Sequence, residues 1–184
     1  MNYSAFVKTL EQEMAIYAAY HRDPRNKATH FVGVPLIMLA ILIPPSLLRA
    51  ELMGFGITAA MLLAAAVLVY YFVLDVALAL AMLVVLGALI WLAELIAGGG
   101  AARAWTWFGI LFVGGWVLQL VGHVFEGRRP ALVDNLFQIF VAPIFLCAEI
   151  FFALGLRPGL RSAVQARAMK SASSPSDANL TPAD

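Results

Sequence analysis

Five stretches of the chain are dominated by periodic or continuous apolar positions, and polar residues gather between them. Across 4–20, Phe6, Leu10, Met14, Tyr17 and Tyr20 recur at three- and four-residue intervals, with Lys8, Glu11, Gln12 and Glu13 on the other side. That period predicts an amphipathic helix, capped by Ser4 and suited to lying in a membrane interface. Pro24 disfavours helical backbone at Asp23, so this helix is expected to break near His21. A second run covers about 31–48, with Pro35 early in it and Pro44-Pro45 near its end. Residues 56–97 carry only Asp75 and Glu94 as charges. One helix of that length would measure about 63 Å, too long for a single crossing, so a hairpin of two helices turning near Asp75 is expected. Gly98-Gly99-Gly100 predicts a flexible turn. A further span covers about 104–121, with Trp105, Trp107 and Trp116 as interface anchors. The last apolar run covers about 136–155.

Composition fixes the class. Apolar residues make up 62% of 184 positions and charged residues 12%, against roughly 45–50% and 25% in soluble domains. The reading is all-α: a polytopic membrane helical bundle of four or five spans with an interfacial N-terminal helix. One domain is expected over 1–160. The Ser-, Ala-, Pro- and Asp-containing tail, 161–184, has little to bury and is expected to be disordered. A net charge of +1 argues against nucleic-acid binding. Cys147, the one cysteine, allows no internal disulfide and no Cys-x-x-Cys metal site. Residues 1–30 show no apolar core with a cleavage site, so the membrane segments themselves are expected to direct insertion.

Topology then acts on the three histidines. His21 and His30 precede the first span, and His123 follows a later one. Four crossings separate His30 from His123 if 56–97 is a hairpin, and an even number returns the chain to its starting face. Lys8, Arg22, Arg25, Lys27, Arg128 and Arg129 share that face, against Arg49 and Arg103 opposite, which makes the histidine side cytoplasmic. A fifth full crossing would carry Arg157, Arg161, Arg167 and Lys170 to the far side. Pro143, between Gln138 and Glu149, allows a kinked or re-entrant last segment instead.

The two polar stretches carry the candidate chemistry. Asn26 and His30 are four apart on one helix face, and His21 can fold back toward them across Pro24. Gln119, His123 and Glu126 share another face. Neutral imidazole suits Fe, Zn, Cu and Ni, and two histidines plus a carboxylate with open positions suit non-haem Fe(II). His21, His30 and His123, or two of them with Glu126 or Asp23, meet the minimum for a metal site. The bland alternative makes each histidine an interfacial polar residue. Arg128 and Arg129 either face headgroups or clamp a substrate carboxylate bidentately, and Asn26 joins them as an expected substrate contact. Asp75 and Glu94 should face protein or an interface rather than lipid, and Asp75, at a predicted turn, reads as structural.

Together, the stretches YHRDPRNKATHFVGVP and GHVFEGRRPALVDNLFQ, with spans between them, resemble the Mpo1-like family over roughly residues 1–155. The resemblance implies an Fe(II)-dependent 2-hydroxy fatty acid dioxygenase carrying out α-oxidation. A long-chain 2-hydroxy acid and O₂ give the acid one carbon shorter, CO₂ and water, and His21, His30 and His123 carry the iron. Removing the carboxyl carbon yields the four electrons that reduce O₂ to water. No nicotinamide or flavin is required, and no Gly-rich dinucleotide fingerprint is present. The alkyl tail is expected between the spans, in contact with membrane lipid. The Ala- and Leu-rich composition and short loops suit a bacterial inner membrane, with the endoplasmic reticulum as the eukaryotic equivalent. Two other classes stay open: a zinc-dependent membrane hydrolase, and a small non-enzymatic transporter or scaffold. A transporter usually shows paired broken helices or an internal repeat, and neither is visible.

Overall fold

The computed structural model describes residues 10–127 and 138–173. Its elements, in chain order, are α1 (Leu10–Tyr20), α2 (Pro24–Ser46), β1 (Arg49–Leu52), β2 (Phe55–Thr58), α3 (Ala59–Leu74), α4 (Val76–Ala97), α5 (Ala101–Glu126), α6 (Gln138–Ala153) and α7 (Pro158–Ser173). The protein is an all-α membrane helical bundle. Helices α2, α4 and α5 are long and apolar enough to cross a bilayer. Helix α3, at 16 residues, is about 24 Å long, somewhat short of a 30 Å hydrocarbon core. Val69, Val73, Val84, Ile110 and Val113 point outward from α3, α4 and α5, as expected where the solvent is lipid rather than water.

Local chemistry sets the breaks. Asp23 caps α2 by accepting from the Arg25 backbone N–H at 2.8 Å, and Pro24 occupies the first helical position, where its missing N–H costs nothing. The expected turn at Asp75 is present: its carboxylate accepts from Leu78 N and caps α4. Helices α3 and α4 run antiparallel, because Thr58 at the start of α3 donates to Glu94 at the end of α4. Gly98–Gly100 makes the next turn, with Gly100 at φ +93.

Helices α2 and α5 also run antiparallel and approach closely. A side chain at Gly33 would place its Cβ 3.0 Å from the Gly115 carbonyl, and one at Gly115 would meet Ile37 at 2.6 Å. Since α2 leaves the histidine end and α5 returns to it, His30 and His123 finish side by side.

Three features depart from the sequence reading. Residues 49–58, of which the sequence reading places only 56–58 in an apolar run, form an antiparallel β-hairpin. Its turn is Met53-Gly54, both at positive φ, as the two-residue loops that match strand twist require. The segment expected to be unstructured from 161 begins as helix α7, which packs on α1 and places Arg167 3.1 Å from Glu11. Helix α1 turns Leu10, Met14 and Tyr17 into the protein rather than toward an interface.

The last apolar run takes the re-entrant course. Positions 141–148 of α6 are buried on every side. Phe140 O accepts from the Tyr71 hydroxyl, and Glu149 pairs with Lys27 at 2.8 Å. After a bend of 120° between α6 and α7, Arg157 pairs with Asp75. Tyr71, Lys27, Asp75 and Glu11 all lie at the histidine end of the bundle. Arg157 and Arg167 therefore return to that end, and the charge conflict posed by a fifth crossing disappears.

Candidate metal centre

The break between α1 and α2 turns His21 back over the bundle, where its ring stacks on Tyr17 at 3.9 Å between centroids. His30 comes from the second turn of α2 and His123 from the last turn of α5. All three are buried. Their rings meet edge to face with centroids 4.5–5.1 Å apart. One nitrogen from each lies within 4.8 Å of the other two, the one cluster of this kind among the described residues.

Hydrogen bonds fix what these nitrogens can do. His21 Nδ1 donates to the Tyr17 carbonyl at 2.8 Å, and His30 Nδ1 donates to the Asn26 carbonyl at 2.9 Å. A carbonyl only accepts, so both protons sit on Nδ1 and both Nε2 atoms carry lone pairs. Those two Nε2 atoms face each other at 3.1 Å. Lone pairs aimed at one another repel unless a cation lies between them. A proton does not meet the need at neutral pH, because burial, reinforced by the neighbouring His30, pushes His21 down to about 3. A metal ion held by both lone pairs would meet it, and the spacing of the three ring nitrogens allows one. The His123 Nδ1 is buried without a hydrogen-bond partner among the described residues. The carbonyls on His21 and His30 are the outer contacts that orient metal-binding imidazoles. The residues fit a metal ion.

The carboxylates expected as further ligands have other work. Glu126 Oε1 accepts from Arg22 N at 2.9 Å, and Oε2 accepts from Asp23 N at 2.9 Å and Asn26 Nδ2 at 3.0 Å. It clamps the loop behind His21 onto the end of α5. Asp23 caps α2 and is bound bidentately by Arg25, whose guanidinium holds its carboxyl below the usual range. Asn26, expected to touch substrate, is fully buried between α2 and α5, where its amide donates to Glu126. Its Oδ1 faces Gly122, and any side chain there would collide with it at 2.5 Å and with Thr29 Oγ1 at 2.2 Å. Arg128 and Arg129 lie outside the described residues.

A cavity of about 310 Å³ opens below the triad, which forms its head. Along α2 its wall runs from His30 to Leu42, about 18 Å at 1.5 Å per residue. Val34, Ile37, Ile41, Leu63, Val67 and Leu86 make most of it apolar. Gln119 and Trp116 of α5 also line it. Sequence reading put Gln119 on the face of His123 and gave it no role. Its spacing was the available signal.

The chain matches the family described as 2-hydroxy-palmitic acid dioxygenase Mpo1-like over residues 7–154. It is a member of the Mpo1-like family. A Saccharomyces cerevisiae relative, 2-hydroxy-palmitic acid dioxygenase MPO1, is 33% identical over 159 residues, covering 85% of this chain and 87% of its own. No solved structure matches. The Mpo1-like match takes in all three histidines, the Glu126 clamp and the cavity wall.

Proposed function

We propose that this protein is a non-haem Fe(II) dioxygenase that converts a long-chain 2-hydroxy fatty acid and O₂ into the acid one carbon shorter, CO₂ and water. The observation that carries the reading is a buried three-histidine cluster at the head of a long apolar cavity. Its support from kinship is a yeast relative named for 2-hydroxy-palmitic acid.

His21, His30 and His123 would hold the iron. When bound, iron supplies oxygen activation and positions for the 2-hydroxyl and carboxylate of the substrate. Three protein ligands leave such positions open. The Tyr17 and Asn26 carbonyls keep two imidazoles in the tautomer that presents Nε2, and the Glu126 clamp holds the His21 loop in place. The apolar wall takes the alkyl tail, with each buried CH₂ contributing about 0.8 kcal/mol. It also keeps bulk water from the reacting end. Arg128 and Arg129, which follow Gly127 in the chain, would steady the carboxylate.

Arg22, Arg25, Lys27, Arg157 and Arg167 gather at the histidine end, against Arg49 and Arg103 at the other. This bias supports a cytoplasmic metal site, in a bacterial inner membrane or its endoplasmic-reticulum equivalent. Oxygen uptake tests the reaction. Purified protein loaded with Fe(II) should consume O₂ on addition of 2-hydroxyhexadecanoic acid and release CO₂ in equal amount. Uptake that ignores the 2-hydroxyl, or its absence from iron-loaded protein, would reject the reading.

A further inference from the structure

The cavity wall holds a side-chain amide, that of Gln119, which the proposed reaction has not used. Gln119 is 7% exposed, and its Nε2 has no hydrogen-bond partner among the described residues. An unmet buried amide costs about 1–3 kcal/mol, and one that persists asks what it is kept for. That nitrogen is enclosed against Gly33, where a Cβ would fall 2.5 Å from it, and a turn about the broad terminal torsion of glutamine brings it to the cavity side. Gln119 lies four residues before His123, about 6 Å further into the bundle along α5. That is the level of Val34 on α2, where the triad gives way to apolar wall.

We infer that Gln119 grips the head group of the substrate, its side-chain amide donating a hydrogen bond to a carboxylate oxygen of the 2-hydroxy fatty acid in the cavity. The inference rests on the proposed reading that the cavity takes such an acid. A neutral donor suits the position. It satisfies an anionic oxygen without adding a buried cation beside three imidazoles and a metal ion. It also orients the acid: an amide just below the triad, with apolar wall beyond, holds the polar end up and sends the tail down.

The test is equilibrium binding to the full-length protein, loaded with Fe(II) and kept free of oxygen so that nothing turns over. Fluorescence of Trp116, in the same wall, reports occupancy. The probes are 2-hydroxyhexadecanoic acid and hexadecanol, which keeps the tail and lacks the carboxylate. Gln119→Met, close in shape, should weaken the acid by about tenfold or more, the loss expected for one hydrogen bond to a charged acceptor. Gln119→Glu, which sets carboxylate against carboxylate, should weaken it further. Both variants should bind hexadecanol and iron as the unaltered protein does, which also shows that the cavity is intact. Acid binding by Gln119→Met within about twofold of the unaltered protein, or equal weakening of acid and alcohol, would overturn the assignment. Failure of the unaltered protein to bind the acid would instead remove the reading on which it rests.

Discussion

Replacing Ala64 with leucine tests whether the apolar cavity holds an alkyl tail. Ala64 lines the cavity on α3 and is 4% exposed. It lies seven residues before Tyr71, about 10 Å deeper into the bundle. Leucine adds three carbon atoms, which take roughly the room of three methylenes of a long chain. At about 0.8 kcal/mol per buried CH₂ the loss is about 2.4 kcal/mol, or roughly 60-fold in Kd. A short-chain 2-hydroxy acid ends above this level and should bind unchanged. Titration of both acids under anaerobic conditions, followed by Trp116 fluorescence, gives the comparison. Thermal midpoint and iron content serve as controls for overpacking. Equal weakening of both acids, or of neither, would show that the tail does not run past Ala64.

His30→Ala or His123→Ala should abolish bound iron while the protein still inserts, measured by metal analysis of membrane-extracted protein; full iron content in either would refute the three-histidine assignment. Glu126→Gln replaces one acceptor oxygen with an amide that cannot accept from Asp23 N or Asn26, and should lower iron affinity by about 10–100-fold, the usual loss for an outer contact; metal titration checks it. Gly122→Ala should lower the thermal midpoint by an amount equivalent to about 1–3 kcal/mol, because its Cβ lands 2.2 Å from Thr29 Oγ1 and 2.5 Å from Asn26 Oδ1.

The histidine cluster was legible because its members stand where apolar runs end, and an even number of crossings returns the chain to one face. The hairpin between α3 and α4 was legible from length alone. What stayed hidden depended on distances. Glu126 reads equally well as a ligand or a clamp until the backbone N–H groups of Arg22 and Asp23 are placed against it. Gly56, Ile57 and Thr58 ran on into the apolar stretch 56–97 and hid the second strand of the β-hairpin, although Met53-Gly54 marks its turn. Helix α7 is poor in large apolar residues, so composition missed a segment partly held by Arg157 on Asp75 and Arg167 on Glu11. The cavity combines side chains of α2, α3, α4, α5 and α6, and in sequence each of them looks like ordinary packing surface. Gln119 shows the same limit: its spacing put it beside His123, and only the structure left its amide nitrogen without a partner among the described residues.

The most direct measurement is mass spectrometry on purified protein given Fe(II), O₂ and 2-hydroxyhexadecanoic acid. Pentadecanoic acid should form, depend on both oxygen and iron, and vanish in His30→Ala and His123→Ala. Iron-loaded, oxygenated protein that leaves the 2-hydroxy acid intact, or product formation that survives loss of the histidines, would contradict the assignment of this triad as the oxygenase centre.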